Sequence, residues 1–168
     1  MNLFFLVLAR DERWIDEKAE ELKSMGAPYR IICGKDLDRP DVVYRKPIGK
    51  YDAINFGCSI VPKSVDVTVL NDVDTKIHGI EAALQELHDS RVGLVFGAVK
   101  PDRGPQVIFY RILDAIRKIV PIAASGELMF VRRNVLERIL PLRPCKAEDS
   151  YILFKVLESG LKSKFVKR

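Results

Sequence analysis

The chain has 168 residues, of which 48% are hydrophobic and 30% are charged. These values fit a single globular domain over 1–168 with one substantial core, whereas two full domains would be cramped. The formal net charge of +5 favours anionic partners such as nucleotide phosphates or acidic lipid headgroups. Nucleic acid is not expected among them, because the sequence has no helix-turn-helix signature, zinc-ligand array or RNA-binding aromatic pair.

The cysteines and the N-terminal segment give no sign of secretion. Cys33, Cys58 and Cys145 are widely spaced and lack a Cys-x-x-Cys pair, so we expect reduced, structural cysteines. The apolar opening at 3–8 has neither a basic flank nor a small-residue cleavage site, and it predicts a core strand rather than a signal peptide. No stretch approaches the roughly 20 apolar residues that span a bilayer. We therefore expect a soluble, cytoplasmic protein.

Hydrophobic periodicity predicts alternating strands and helices. In chain order, the sequence predicts a strand at 3–8, a helix at 12–24, strands at 29–33 and 42–44, a less regular helix at 50–60, a strand from 65 to 70, a helix at 79–87, a strand at 92–99, a loop at 101–105, a helix at 107–120, a strand at 128–131, helices at 135–140 and 149–159, and an edge strand at 164–166. The first strand, helix and strand form a βαβ unit, for which parallel pairing is the default. Trp14, on the first helix, is expected to pack on the sheet.

The run from Val65 to Leu70 ends in two acids, Asp72 and Asp74, one residue apart. Side chains at i and i+2 of a strand point to the same side, and ligands of open α/β sheets bind at the carboxyl ends of strands. Mg²⁺ and Mn²⁺ prefer such oxygen ligands and complete their coordination with phosphate oxygens and water. The pattern therefore indicates a metal and phosphate site, although Asp is also common in turns for local reasons.

The order of four segments resembles the family-two glycosyltransferases, which have the GT-A nucleotide-sugar-binding fold. The sequence at 49–57 is similar to the family's Gly-Lys-x-x-Ala-x-Asn-x-Gly stretch, and 70–74 is similar to its Asp-x-Asp (DXD) strand. The sequence at 126–133 looks like its Gly-rich acceptor-side strand, and Glu148-Asp149 matches its Glu-Asp pair. The resemblance covers most of the chain. It implies an α/β, Rossmann-type three-layer sandwich with a mostly parallel central sheet.

The chain departs from the family pattern at three places. The first strand is followed by Ala9-Arg10-Asp11-Glu12 instead of a Pro-x-x-Asn-Glu sequence. The second strand ends in Cys33-Gly34 instead of the Asp pair that meets the nucleotide base. The family's later Gln-x-x-Arg-Trp motif and its C-terminal histidine are not found before Arg168. The resemblance therefore implies a short or divergent member whose donor base is not defined by its motifs.

The resemblance also implies residue roles. Asp74, with Asp72, would bind Mg²⁺ or Mn²⁺ bridging the diphosphate of a nucleotide-sugar donor. Asp149 would be the general base that takes the proton of an acceptor hydroxyl, giving inversion if displacement is direct. Glu148 would orient that base or bind the acceptor. The donor-binding residues would further include Lys50, Asn55 and Gly126, where glycine allows close approach to the backbone.

Each of these residues also has a local interpretation. Glu148 and Asp149 suit the first turn of a helix, where exposed amides favour acids. Lys50 fits a solvated loop, and Asn55 fits a residue that satisfies nearby backbone groups. Arg132 and Arg133 suit phosphate binding, yet at least one would normally face solvent. We leave these alternatives open at this point.

Three other functions compete with the transferase. Asp72-Val73-Asp74-Thr75 also resembles the nucleophile motif of haloacid-dehalogenase-like phosphatases, in which Asp72 would form an aspartyl phosphate. That motif normally lies on the first strand, which favours the transferase here. A nucleotidyltransferase that makes nucleotide sugars is a relative by fold, but it would be expected to show a Gly-rich signature just after the first strand, which Ala9-Arg10-Asp11-Glu12 lacks. A non-catalytic binding module with the same fold is the third alternative.

The resemblance implies an acceptor that carries a hydroxyl group, such as a glycan or a lipid-linked molecule, and the sequence does not name it. The basic C-terminus, with Lys162, Lys164, Lys167 and Arg168, would attract an anionic membrane surface. A solvated basic tail explains the same residues.

Overall fold

The computed structural model describes residues 1–97, 112, 115–116 and 126–166. Seven strands and five helices have their bounds within this part of the chain. In chain order they are β1 (Leu3–Ala9), α1 (Ile15–Ser24), β2 (Tyr29–Cys33), β3 (Val42–Tyr44), α2 (Lys50–Ser59), β4 (Val67–Asp72), α3 (Ile80–Leu87), β5 (Val92–Gly97), β6 (Leu128–Arg132), α4 (Arg133–Ile139), α5 (Glu148–Glu158) and β7 (Lys162–Val166).

The strands form one sheet in the order β3-β2-β1-β4-β6-β5-β7. All neighbouring pairs are parallel except the two that involve β6, which runs antiparallel to both β4 and β5. Strand β1 lies between β2 and β4, so the carboxyl ends of these three parallel strands meet at one edge of the sheet. The predicted mostly parallel sheet and the parallel βαβ unit are confirmed.

The alternation of apolar side chains along the strands produces two cores, one on each face of the sheet. In β1, Phe5 and Val7 belong to one core and Leu6 to the other. Helices α1 and α3 cover the first face with Ile15, Leu22, Ala83 and Leu87. Helices α2, α4 and α5 cover the second face with Ile54, Val135, Leu136, Ile139, Ile152, Leu153 and Val156. The arrangement is the predicted three-layer sandwich.

Several boundaries differ from the predicted ones. Helix α1 begins at Ile15 rather than residue 12, because Trp14 has a left-handed backbone with φ 68°. Strand β5 is described as far as Gly97, so the predicted end at 99 and the loop at 101–105 lie outside the described residues. The helix predicted at 107–120 is described only at residues 112, 115 and 116, which are helical. Strand β7 lies at the edge of the sheet, as predicted.

Two further expectations can be compared with the described residues. Cys33, Cys58 and Cys145 are free thiols, as expected. Burial raises the pKa of Cys58 to about 12, which keeps this thiol protonated and unreactive at neutral pH. Among the helices of the described part, none has the length and apolarity needed to cross a bilayer.

Candidate active site

A cavity of about 670 Å³ lies at the carboxyl ends of β1, β2 and β4. At the β4 end it is lined by Asp72, Asp74 and Lys50. At the β1 and β2 end it is lined by residues of the β1–α1 connection, of the β2 terminus and of the segment before α2; these are Ala9, Arg10, Asp11, Arg13, Trp14, Cys33, Gly34, Arg45, Lys46, Pro47 and Ile48. Ligands of open α/β sheets bind at this edge. The cavity is therefore the candidate site.

The β4 end of the cavity is organised around a close ion pair. The Lys50 ammonium lies 2.7 Å from Asp72 Oδ1 and donates to Asp72 Oδ2 at 2.8 Å. It also donates to the main-chain carbonyl of Gly126 at 3.1 Å. Lys50 is the first residue of α2, and Gly126 precedes β6. One ammonium group therefore joins three segments that are far apart in the sequence.

Asp149 lies on the other side of Gly126. A methyl group on Gly126 would be 3.0 Å from Asp149 Cβ and 3.1 Å from its Oδ2, which is closer than such contacts normally come. The lack of a side chain at position 126 therefore lets the start of α5 approach the acid cluster. Asp149 Oδ1 accepts a hydrogen bond from the Ser150 main-chain amide at 2.8 Å, which orients the carboxylate.

The acids of this cluster influence one another electrostatically. Burial raises the pKa of Asp72, the Lys50 ammonium lowers it, and the negative charges of Asp74 and Asp149 raise it again. Asp72, Asp74 and Asp149 thus lie close enough to interact although they come from two different segments. A bound cation would relieve the repulsion among them.

Buried polar contacts hold the turn that carries Asp72 and Asp74. Asn71, which is 1% exposed, donates to the main-chain carbonyls of Thr75 at 3.1 Å and Glu127 at 3.0 Å. The buried Lys18 ammonium of α1 also donates to the Thr75 carbonyl, at 2.5 Å, and pairs with Glu21 at the same distance. These bonds fix the turn relative to β6 and α1. No sequence pattern predicts these roles of Asn71 and Lys18, because their contacts are set by tertiary structure.

The carboxylates of this cluster offer only part of a metal site. Within the described ranges, no group of three or more His, Cys, Asp and Glu side chains is arranged to hold a metal ion. Asp72 and Asp74 line the same end of the cavity and could supply two ligands to an ion, if oxygens of a bound molecule and of water supplied the rest. This is the usual coordination of Mg²⁺ by proteins that bind phosphorylated substrates.

Glu148 lies close to the acid cluster but faces a second cavity. It is 8% exposed and lines a cleft of about 650 Å³ together with Ile48, Gly49, Lys50, Tyr51, Pro144, Cys145 and Lys146. Lys50 lines both cavities. The two cavities therefore meet at Lys50, close to Gly126 and Asp149.

Asn55 lies away from the cluster. Its side-chain amide donates to the Leu142 carbonyl at 3.0 Å, and its side-chain oxygen accepts from the Leu142 amide at 2.7 Å. It does not line the first cavity. The local interpretation of Asn55 thus describes what the structure shows, because both polar groups satisfy backbone of the loop that leads to α5.

Trp14 is placed differently from the prediction. We expected it to pack on the sheet, but it is 58% exposed and lines the first cavity. Its left-handed backbone at the N-terminus of α1 turns the side chain away from the apolar face of that helix. A bulky residue with positive φ is uncommon and often marks a functional segment. No sequence signal marks this position, because the helical spacing of apolar residues predicts that Trp14 lies inside α1.

Charged groups at the β1 and β2 end pair with nearby partners. Asp11 accepts from Arg13 at 2.9 Å, Glu12 from Lys35 at 2.5 Å, and Asp52 from Arg45 at 2.7 Å. The hydrogen bonds from Arg13 lower the pKa of Asp11. The hydrogen bond from Lys35 lowers the pKa of Glu12. Gly34 allows the β1–α1 connection to pass close to β2, since a Cβ there would be 2.7 Å from the Arg10 carbonyl oxygen.

Arg132 and Arg133 satisfy backbone groups. Arg132 donates to the main-chain carbonyls of Leu87, Asp89 and Val92. Arg133 donates to the carbonyls of Val61 and Pro62 and to the Glu137 carboxylate. Neither arginine lines the cavity that contains the acids, and the contacts of both are those of the local interpretation.

Comparisons with known proteins identify the fold. No protein-family model and no curated protein sequence matches the chain. Among solved structures, mannosyltransferase PcManGT from Pyrobaculum calidifontis, in complex with GDP-Man and Mn²⁺, is similar with a TM-score of 0.74 and 20% sequence identity. The match covers 98% of this chain and 54% of that chain, so this chain spans about half the length of that structure.

Two other solved structures share the fold. Glucosyl-3-phosphoglycerate synthase from M. tuberculosis has a TM-score of 0.66 at 14% identity, over 99% of this chain and 70% of that chain. The 4-diphosphocytidyl-2C-methyl-D-erythritol synthase from Anaerococcus prevotii has a TM-score of 0.58 at 10% identity, over 99% of this chain and 89% of that chain. The chain therefore has a GT-A-like fold. Function has to be argued from the site, because one fold carries different activities.

Proposed function

We propose that this protein is a glycosyltransferase that moves a sugar from a nucleoside-diphosphate sugar to an acceptor hydroxyl, in the manner of the family-two enzymes that its motifs resemble. The observation that carries this proposal is the cluster at one end of the cavity, where Lys50, Asp72 and Asp74 line the wall. Asp149 lies beside Gly126, close enough to raise the pKa of Asp72. The similarity to a mannosyltransferase bound to GDP-Man and Mn²⁺ supports the proposal.

The donor would lie along the first cavity with its diphosphate at the β4 end. Asp72 and Asp74 would hold a Mg²⁺ or Mn²⁺ ion, which supplies neutralising charge as the bond between sugar and diphosphate breaks. Lys50 would add a second positive charge at the same phosphates. The nucleoside would extend toward Trp14 and the end of β2, where the cavity wall includes Cys33, Gly34 and Pro47.

The acceptor would enter from the second cavity, which meets the first at Lys50. Asp149 would take the proton of the acceptor hydroxyl as its oxygen attacks the anomeric carbon. The bond from the anomeric carbon to the diphosphate oxygen breaks, and the nucleoside diphosphate leaves with the electron pair. Such a direct displacement inverts the anomeric configuration. Glu148, which lines the second cavity, would bind a hydroxyl of the glycan or lipid-linked acceptor.

The phosphatase alternative would use Asp72 as a nucleophile. Its motif normally lies on the first strand of the chain, whereas Asp72 ends β4. The place of the motif in the chain therefore favours the transferase.

The test is release of nucleoside diphosphate from a panel of UDP- and GDP-sugars, with Mn²⁺ and with a panel of glycan and lipid-linked acceptors. We expect release that is lost with chelator and in Asp149→Asn. An Asp72→Asn variant that loses hydrolysis of an aryl phosphate, together with no release from any nucleotide sugar, would instead support the phosphatase.

A further inference from the structure

The Lys50 ammonium occupies a cradle of three oxygen atoms at the place where a metal ion is proposed to bind. The oxygens are Asp72 Oδ1, Asp72 Oδ2 and the Gly126 carbonyl, at 2.7, 2.8 and 3.1 Å from Nζ. The side chains of Lys50 and Asp72 are 32% and 26% exposed. The pair is therefore partly shielded from water and from screening by salt.

A divalent ion and this ammonium cannot share Asp72 in the observed arrangement. An ion bound to an Asp72 oxygen would lie about 2 Å from it, which would place two positive charges next to each other in a poorly solvated site. Either the ion stays out or the ammonium moves. Lys50 is at the N-terminal end of α2 and lines both cavities, so its side chain has open space on two sides into which it can move.

We propose that Lys50 is a tethered counter-ion that competes with the divalent metal for Asp72, so that metal binds tightly only together with a nucleoside diphosphate. The diphosphate provides oxygens that attract the Lys50 ammonium away from Asp72, and the vacated carboxylate then joins Asp74 as a metal ligand. Lys50 thereby couples metal binding to donor binding. This inference rests on the proposed donor site.

The charges around the pair are consistent with this exchange. Asp74 and Asp149 lie close enough to raise the pKa of Asp72, so the cluster has more carboxylates than the single Lys50 ammonium can compensate. When the ammonium moves to the phosphates, the incoming metal ion would keep Asp72 compensated. Because the metal ion and the diphosphate carry opposite charges, the net charge of the cluster changes little when both bind.

The test measures Mn²⁺ binding directly, from the EPR signal of the free ion, without relying on activity. Wild type is compared with Lys50→Met, which removes the charge but keeps an unbranched side chain. The matched control is Lys46→Met, since Lys46 lines the same cavity and its replacement removes the same charge. Each protein is titrated alone and with GDP or UDP, and its fold is checked by circular dichroism.

We expect Lys50→Met to bind Mn²⁺ alone about tenfold more tightly than wild type, a typical size for coupling between two ligands. Lys46→Met should change that affinity by less than about threefold, as expected for a screened, exposed charge. GDP or UDP should tighten Mn²⁺ binding by about tenfold in wild type and much less in Lys50→Met. If Lys50→Met does not fold, Lys50→Gln provides the same comparison with a polar side chain.

Equal or weaker Mn²⁺ binding by Lys50→Met than by Lys46→Met, in the absence of nucleotide, would overturn the competition. This outcome is distinct from failure of the proposed function. If the proposed function is wrong, folded wild type would bind neither GDP nor UDP in the presence of Mn²⁺, whatever the affinities of the two lysine variants for the metal alone.

Discussion

The two ends of the cavity use charge in different ways. At the β4 end, Lys50, Asp72, Gly126 and Asp149 interact across separations of 22 and 76 residues in the sequence. At the β1 and β2 end, Asp11 pairs with Arg13 two residues away, Arg45 with Asp52 seven residues away, and Glu12 with Lys35, which is 23 residues away. The first end joins three segments around one ammonium group, whereas the second arranges its charges in separate one-to-one pairs.

This difference indicates a division of labour. Charges in one-to-one pairs contribute little field to the cavity, so the β1 and β2 end presents the surfaces of Trp14 and Pro47 together with the cations Arg10 and Lys46. The β4 end concentrates acids and one cation where a diphosphate and a reacting hydroxyl would meet. Substitution of Asp149 should therefore affect catalysis, substitution of Asp74 should affect binding of the metal and diphosphate, and substitutions at the other end should affect affinity for the nucleoside.

Replacement of Asp149 should cause the largest loss of activity. Asp149→Asn keeps the size of the side chain but removes its ability to accept a proton. Since general base catalysis contributes about 10²- to 10⁴-fold, we expect a loss of that order in kcat with little change in nucleotide affinity. Steady-state kinetics measures kcat, and calorimetry on the same sample measures nucleotide affinity. A large loss of nucleotide affinity would show that the two ends are not functionally separate.

Gly126→Ala should have the next largest effect. The added methyl group would lie 3.0 Å from Asp149 Cβ, so the start of α5 has to shift. Because small displacements of catalytic groups can cost about 100-fold in rate, we expect kcat to decrease by about 10- to 100-fold. The thermal unfolding transition should remain cooperative. Full activity in this variant would mean that the position of Asp149 is not critical.

Trp14→Ala sharpens the comparison at the opposite end. Stacking of a base on an aromatic side chain is worth about 1–3 kcal/mol, and the exposed Trp14 ring is placed at the cavity. We expect nucleotide affinity to fall by about 5- to 10-fold, the lower part of that range, with kcat at saturation nearly unchanged. Trp14→Phe serves as the control and should retain most of the affinity.

Asn55→Ala should have the smallest effect on nucleotide affinity. The variant loses two hydrogen bonds to Leu142, each worth about 0.5–1.5 kcal/mol of unfolding free energy. We expect lower stability in urea denaturation and an affinity for nucleotide within about twofold of wild type. A loss of affinity much larger than this would restore the donor-binding role that the motif suggested for Asn55.

The sequence predicted the fold well because binary patterning determines it. Alternation in β1 and β4 and helical spacing in α3 correspond to buried faces, and the acids after β4 do line a cavity. Contacts between distant segments could not be predicted in this way. The Lys50 pairing with Asp72, the roles of Asn71 and Lys18, and the use of Arg132 and Arg133 on backbone carbonyls depend on tertiary structure. The prediction that Trp14 packs on the sheet was wrong because the spacing of hydrophobic residues does not reveal a left-handed backbone conformation.

The most direct test of a donor site is calorimetric titration with UDP- and GDP-sugars in the presence of Mn²⁺. The measurement is repeated with chelator and with Asp74→Asn, which leaves the Lys50 and Asp72 pair in place. We predict that a nucleotide sugar binds wild type, and that its binding is lost both with chelator and in the variant. The account would be contradicted if folded wild type bound none of these sugars at millimolar concentration, or bound one equally well without metal and without Asp74.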